Sequence, residues 1–340
     1  MLKLLTSLLI LLNPAIGFFA PDRPPIKNAT EKEAAFASLE NYKLPLSENI
    51  FLAAQLIPTY PIRNWNIPEP EITAKIALVF ETSRQKILWQ KDGLRESLPI
   101  ASLTKLMTAL VVMENTKLDD VFKVSKKAVE TNGEMGGLRV GEELTVKNLL
   151  YALLVESSND AAVTLAEGVG IKRAFDSAIL RSGNNINTNN LSPEPVEGSK
   201  LFVEIMNQKA RDMGLVDTDF GDPSGLDSRN RSSAWDLNRL MQEVLKYPLL
   251  QDIMQTSTID FQSVDGKFNH HLTSTDKLLG KLPEIIGGKT GYTEEAGNCM
   301  ALAWRAPNKQ GIVISIIMDS QDRTGESETL LKWTRDAFLW

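Results

Sequence analysis

Strand-forming runs stand at both ends of one long stretch of this chain, and helix-forming runs fill the middle. Lys75-Ile76-Ala77-Leu78-Val79-Phe80 and Lys86-Ile87-Leu88-Trp89-Gln90 are separated only by Glu81–Gln85. They are rich in β-branched and aromatic residues and predict a hairpin. Asn298–Trp304 and Gly311–Met318 have the same character near the other end. Between them the apolar spacing becomes helical. Leu103, Leu106, Met107, Leu110 and Val111 fall on one face of a helix that starts at Ser102. Further helices are predicted over Val146–Val155, Asn159–Val169, Leu201–Met213, Ser233–Leu245 and Glu326–Trp340, with a turn-rich loop at Gly133–Gly141. Strands from both ends with helices between imply an α+β domain whose antiparallel sheet is completed by its two terminal segments.

The chain has 340 residues, 43% of them apolar, enough for a substantial core. Its net charge is -6 and no basic block is present, which argues against nucleic acid as a partner. Cys299 is the single cysteine, so no intrachain disulfide can form. It lies in the strand-like run Asn298–Ala303 and is expected to pack as an inert small hydrophobe. His270 and His271 are adjacent, so in a strand they point to opposite sides. They make a poor metal pair and do not support a Ser-His-Asp triad. No metal and no cofactor is expected.

Residues 1–20 read as a targeting segment. Lys3 supplies the positive end, Leu4–Leu12 the apolar stretch, Asn13-Pro14 a break, and Ala15-Ile16-Gly17 small residues for cleavage. The alternative is an uncleaved anchor over Leu4–Ala20, short for a span. Export is expected, to the periplasm or the outer face of the cytoplasmic membrane. Residues 21–70 hold eight of the sixteen prolines, so 21–71 reads as an extended linker before a domain at 72–340. Residues 172–199 carry a run of asparagines followed by Ser192-Pro193-Glu194-Pro195 and read as an inserted, solvated loop.

The chemistry lies in three ordered pieces: Ser102 and Lys105, then Ser157-Ser158-Asn159, then Lys289-Thr290-Gly291. A serine hydroxyl attacks a carbonyl only when a base takes its proton. Ser102 and Lys105 are three apart, hence on one helix face if the helix begins at the serine. Burial and a second cation, for which Lys289 is the candidate, would hold Lys105 neutral. The positive helix N-terminus acts in the same direction. An S-x-x-K match alone occurs roughly once by chance in a chain this long, so the ordered set carries the argument. Ser157-Ser158-Asn159 also suits a helix N-cap.

The chain resembles the serine D-Ala-D-Ala carboxypeptidase family, the low-molecular-mass penicillin-binding proteins, over about residues 72–340. The resemblance rests on Pro99-Ile100-Ala101-Ser102-Leu103-Thr104-Lys105-Leu106-Met107-Thr108, Ser157-Ser158-Asn159-Asp160-Ala161-Ala162 and Gly287-Gly288-Lys289-Thr290-Gly291-Tyr292-Thr293. Asp222-Pro223-Ser224-Gly225-Leu226 and Ser232-Ser233-Ala234-Trp235-Asp236-Leu237 are secondary matches. It implies a DD-peptidase/β-lactamase-like fold, a five-stranded antiparallel sheet flanked by helices, with a helical subdomain. It implies Ser102 as acylated nucleophile, Lys105 as its base, Ser157 as proton relay to the leaving amine, and Asn159 as a holder of the substrate amide. Lys289 and Thr290 would face the substrate carboxylate. Gly291 would leave room for a substrate along the strand edge, and the N–H groups of Ser102 and Tyr292 would form the oxyanion hole. Arg323 would add positive charge for the carboxylate, against the alternative of a plain surface arginine.

The implied reaction removes the terminal D-alanine from peptidoglycan stem peptides, with β-lactam antibiotics as covalent inhibitors. A D,D-endopeptidase cutting cross-links would use the same residues. A β-lactamase is disfavoured: Ala234-Trp235-Asp236-Leu237-Asn238 has alanine where an E-x-x-L-N motif has its glutamate. A non-catalytic wall-binding protein is disfavoured because every catalytic side chain is present. Many relatives carry a further C-terminal domain and anchor, so the membrane tether expected here is N-terminal.

Overall fold

The computed structural model describes residues 61–131, 137–182 and 195–340. The targeting segment, residues 21–60 of the linker and the asparagine run at 184–190 lie outside them. The central sheet has five strands: β1 (Ile76–Glu81), β2 (Lys86–Lys91), β3 (Ile285–Thr293), β4 (Gly297–Arg305) and β5 (Ile312–Ser320). Their order is β3-β4-β5-β1-β2, and every neighbouring pair is antiparallel. The N-terminal hairpin is therefore joined to the C-terminal strands through the β5–β1 pairing, in which Ile316 faces Leu78. Strand β3, carrying Lys289-Thr290-Gly291, is an edge.

Alternation along β1 serves two cores, because successive side chains point to opposite faces. Ile76, Leu78 and Phe80 enter the larger core with the helices α1 (Lys105–Asn115) and α4 (Ala234–Val244). Ala77 and Val79 enter a smaller core against α5 (Arg323–Ala337), where Leu330 and Leu331 lie. Both faces of the strand are dry, so it reads as one apolar run. Ser233 caps α4 by accepting the N–H of Asp236 (3.2 Å). Two more helices, α2 (Asn159–Ser182) and α3 (Pro195–Asp212), pack on each other and on α1.

Four expectations are revised. The described domain starts before residue 72. Ile62–Arg63 pairs with Phe338–Leu339, the Asn64 N–H donates to the Ala337 carbonyl (2.8 Å), and Trp333 Nε1 donates to the Pro68 carbonyl (2.7 Å). The Arg63 guanidinium lies 4.9 Å from the centre of the Trp333 ring. Proline lacks an N–H but keeps its carbonyl, so a proline-rich segment still serves as an edge partner. The same pairing ends the last helix at Ala337, not Trp340. The nucleophile helix does not begin as α-helix either. Ala101–Thr104 forms a 3₁₀ turn that leads into α1.

The fourth revision concerns 172–199. Residues up to Ser182 continue α2 and residues from Pro195 already belong to α3. The two helices approach so closely that a Cβ on Gly170 would lie 1.9 Å from the Gly198 carbonyl oxygen, and one on Gly198 would lie 2.7 Å from that of Glu167. The asparagine run masked this helical pair in the sequence. Gly170→Ala is expected to destabilise the domain by about 1–3 kcal/mol or more through overpacking against backbone, despite alanine's better helix propensity. A urea unfolding curve checks this. An unchanged or higher midpoint contradicts the close approach.

Candidate active site

Ser102 sits in the second position of the 3₁₀ turn, half-buried. Ala101 before it has φ +46, a left-handed conformation that costs a non-glycine residue about 1–3 kcal/mol. Two glycines hem the turn in. A Cβ on Gly225 would lie 2.0 Å from the Ala101 carbonyl oxygen. One on Gly291 would lie 3.0 Å from the Ile100 carbonyl oxygen and 3.1 Å from the Ser102 nitrogen. Gly291 is thus needed by the nucleophile's own backbone as well as by any substrate on the edge of β3.

Lys105 is fully buried. Its Nζ lies 2.9 Å from Ser102 Oγ, 2.8 Å from Asn159 Oδ1 and 2.7 Å from the Ser224 carbonyl oxygen. Two of these three partners can only accept hydrogen bonds. A neutral amine has two hydrogens and one lone pair. With both hydrogens committed to Asn159 and Ser224, the lone pair is left for the Ser102 hydroxyl proton. Burial lowers the Lys105 pKa to about 7, against the opposing pull of the Asp222 carboxylate. Burial, one of the two causes expected from the sequence, is the main one.

Ser157 follows a π-turn at Ala152–Glu156 and has φ +67. Ser158 caps α2, its Oγ accepting the Ala161 N–H (3.1 Å), and Asn159 opens the helix. Lys289 is also buried. Its Nζ donates to Ser157 Oγ and to the Thr290 carbonyl, both at 2.8 Å. It stands behind Ser157, outside the groove lining. Burial first, then Lys105 and Arg323, hold its pKa well below the usual lysine range, with Asp276 acting in the opposite direction.

The groove has a volume of about 460 Å³ and is lined by Ser102, Ser157, Asn159, Gly225, Leu226, Thr275, Thr290, Gly291, Tyr292, Thr293 and Arg323. Thr290 Oγ1 and Thr275 Oγ1 are 2.8 Å apart. Arg323 Nη1 donates to the Gly291 carbonyl (2.7 Å), which turns this first residue of α5 into the groove wall and away from plain solvent. A larger cavity, about 650 Å³ near Val121–Lys126 and α2, holds none of these groups. Sequence reasoning gave no role to Ser224, Gly225 or Leu226, although their run was noted. It missed Thr275, for which the sequence has no signal: an isolated threonine reaches the site only because the turn after Asn269–Thr273 folds against β3.

Other candidates fall away from the groove. Trp235 packs edge-on against Phe80 (5.9 Å), and Asp236 accepts from Thr218 Oγ1 (2.9 Å) and the Asp217 N–H (2.8 Å). His270 pairs with Glu142 and His271 with Asp260, on opposite sides of their strand. Among the described residues no three His, Cys, Asp or Glu side chains could hold a metal ion. Burial pushes the Cys299 thiol up to about 11, so it stays protonated and inert.

A buried lysine aimed at a half-buried serine, beside an open strand edge, defines a serine acyl-transfer enzyme. The model of the peptidase S11 family, D-alanyl-D-alanine carboxypeptidase, matches residues 64–179 and 169–322, and the chain belongs to this family. It is 32% identical over 249 residues to the D-alanyl-D-alanine carboxypeptidase DacF of Bacillus subtilis, covering 71% of this chain. It spans only 56% of that relative's length. With a D-alanyl-D-alanine endopeptidase of Pseudomonas aeruginosa it shares 30% identity, covering 69% of this chain and 68% of the relative. The crystal structure of a D-alanyl-D-alanine carboxypeptidase from Mycobacterium tuberculosis superposes with a TM-score of 0.66 at 25% identity, over 80% of this chain and 94% of that one.

If Lys105 is the base for Ser102, as the sequence reading expects, acylation requires it without its proton. The second-order rate of acylation by a fluorescent penicillin is therefore expected to rise about tenfold per pH unit below a midpoint near pH 7 and to level off above it. A rate independent of pH from 5 to 8 contradicts Lys105 as the base.

Proposed function

We propose that this chain is a serine-type D-Ala-D-Ala carboxypeptidase that removes the terminal D-alanine from peptidoglycan stem peptides through an acyl-enzyme on Ser102. The observation that carries the reading is the contact of the buried Lys105 Nζ with Ser102 Oγ at 2.9 Å, beside two groups, Asn159 Oδ1 and the Ser224 carbonyl, that can only accept hydrogen bonds. The substrate lies along the free edge of β3. Ser102 Oγ attacks the penultimate carbonyl carbon while its proton passes to Lys105 Nζ. The N–H groups of Ser102 and Tyr292 hold the oxyanion; one such donor is worth roughly a hundred- to a thousandfold in rate. The C–N bond then breaks. The Ser157 hydroxyl gives its proton to the departing amine and takes one from Lys289, 2.8 Å from Ser157 Oγ; the proton that Lys105 took from Ser102 replaces it on Lys289, so Lys105 is again neutral for deacylation. Asn159 holds the substrate amide. Thr290, Thr275 and Arg323 receive the terminal carboxylate, with Lys289 supplying charge from behind. Water next attacks the ester, Lys105 takes its proton, and Ser102 Oγ leaves with a proton returned. β-Lactams, which present a carboxylate beside a reactive amide, would acylate the same serine.

A D,D-endopeptidase that cuts cross-links is the second reading. It is favoured by the match to the Pseudomonas endopeptidase, of which this chain covers a larger share than of the Bacillus carboxypeptidase. A wall substrate places the enzyme outside the cytoplasm, and residues 1–20 supply an export signal or an N-terminal tether. Among the described residues no helix is long and apolar enough to cross a membrane.

Fluorescent penicillin is expected to label the intact protein and to leave Ser102→Ala unlabelled. Equal labelling of both removes Ser102 as nucleophile. Incubation with a pentapeptide monomer is expected to release free D-alanine. Cleavage of a cross-linked dimer with no release from the monomer would replace the first reading by the second.

A further inference from the structure

One peptide plane touches the base on one side and is held by a carboxylate on the other. The Ser224 carbonyl oxygen lies 2.7 Å from Lys105 Nζ. The N–H of the same peptide group, that of Gly225, donates to Asp222 Oδ1 (2.8 Å). In a planar trans peptide the C=O and N–H point in opposite directions, so fixing the N–H aims the carbonyl. Asp222 closes the turn a second time, its Oδ2 accepting the Ser224 hydroxyl (2.5 Å). Asn230 Nδ2 also donates to Oδ1. Asn230 is buried, and its backbone carbonyl accepts the Ile100 N–H (3.1 Å), two residues before Ser102.

The turn that Asp222 closes bears on the nucleophile element at three successive residues. The Pro223 carbonyl accepts from Thr108 Oγ1 (2.6 Å), one turn of α1 beyond Lys105. The Ser224 carbonyl meets Lys105 itself, and Gly225 abuts the Ala101 carbonyl. Gly225 has φ +96 and no side chain to hold it, so its backbone is free to turn unless its N–H is tied down. A carboxylate on that N–H also polarises the amide and makes its carbonyl a stronger acceptor. Negative charge thereby reaches Lys105 although no carboxylate touches it. Burial drives Lys105 toward losing its proton, and Asp222 opposes that. Lys289 is the other charged group that faces Lys105, while its contacts Ser102 and Asn159 are uncharged.

We propose that Asp222 is a positioning residue: by holding the Ser224–Gly225 peptide it fixes the carbonyl that keeps Lys105 aimed at Ser102. The proposal rests on the reading of Ser102 as nucleophile and Lys105 as its base. Taking the carboxylate away has two consequences. The carbonyl loses its aim, which slows acylation at every pH. The protonated form of Lys105 loses support, so its proton leaves at lower pH. A residue that only holds the loop together gives the first effect without the second.

The test is the pH profile of acylation by a fluorescent penicillin in Asp222→Asn, which keeps an oxygen for the Gly225 N–H and removes the charge. The midpoint near pH 7 is expected to fall by about half a unit. The rate at pH 5.5, as a fraction of its plateau, then rises about threefold. Asp222→Ala, which also frees the peptide plane, is expected to lower the plateau by about tenfold to a hundredfold, while Asp222→Asn keeps most of it. Asp227→Asn removes another carboxylate of the same loop, one that holds Arg229, and is expected to leave the profile in place. A midpoint that stays or rises in Asp222→Asn, an equal shift in Asp227→Asn, or an unchanged plateau in Asp222→Ala would each overturn the proposal. Asp222→Ser, whose hydroxyl accepts the Gly225 N–H without charge, replaces either Asp222 variant that thermal melting shows to be unfolded. Its midpoint is expected to fall equally and its plateau to lie between the other two. Labelling of the unsubstituted protein tests the underlying reading separately. A parent that is not labelled overturns both, whereas a labelled parent whose profile Asp222→Asn matches overturns this proposal alone.

Discussion

A lysine sealed from water is the constraint on which the rest of this site depends. An ammonium ion in a protein interior carries a desolvation penalty of several kcal/mol unless it is paired. Lys105 has no carboxylate in contact and is met by a hydroxyl, an amide oxygen and a backbone carbonyl. These three acceptors can satisfy the N–H groups of an ammonium, but none carries the negative charge that would offset its burial. The three come from separate parts of the chain: the turn at Ala101–Thr104, the start of α2 and the loop at Ser224. Each must be placed to within a fraction of an ångström for the lone pair to face Ser102.

That placement explains the strain around the site. Ala101 and Ser157 both adopt left-handed backbone conformations, with φ +46 and +67, although neither is glycine. Such residues persist only when the surroundings over-determine them. Here Gly225 and Gly291 press on the Ala101 turn, while a π-turn and a capped helix bracket Ser157. The glycines serve close approach of backbone to backbone, and the flexible residues of the chain thereby rigidify its nucleophile. Electrostatics follows the same economy of partners. Two buried lysines and Arg323 share one site, and Asp222 and Asp276 are the carboxylates that face them.

Much of the fold was legible because it is written in local periodicities. The β1–β2 hairpin and the paired strands β4 and β5 appear as short apolar runs between turn residues, and α4 announces itself with Ser233 at its cap. The misreadings have physical reasons. Asparagine and proline content made 172–199 look like a loop, yet the Gly170–Gly198 approach that packs α2 on α3 involves residues 28 positions apart in sequence. Proline content also hid residues 61–71, whose partners lie at the far end of the chain. In the site, Thr275 carries no local signature, and the spacing of Lys289 reports strand register but not where its long side chain ends.

The sequence by itself determined which residues are candidates for the chemistry and that the sheet is closed from both ends, because S-x-x-K, S-x-N and K-T-G are local patterns and strand character is a local property. Only the tertiary structure decided what those residues are in water's absence. The lowered proton affinity of Lys105 comes from burial, a property of everything packed around it. The station of Lys289 behind Ser157, the turn of Arg323 into the groove wall and the Ser224 carbonyl against Lys105 come from contacts between segments far apart in the chain. Proton affinity depends on the surroundings of a group, and no spacing of letters encodes a dielectric.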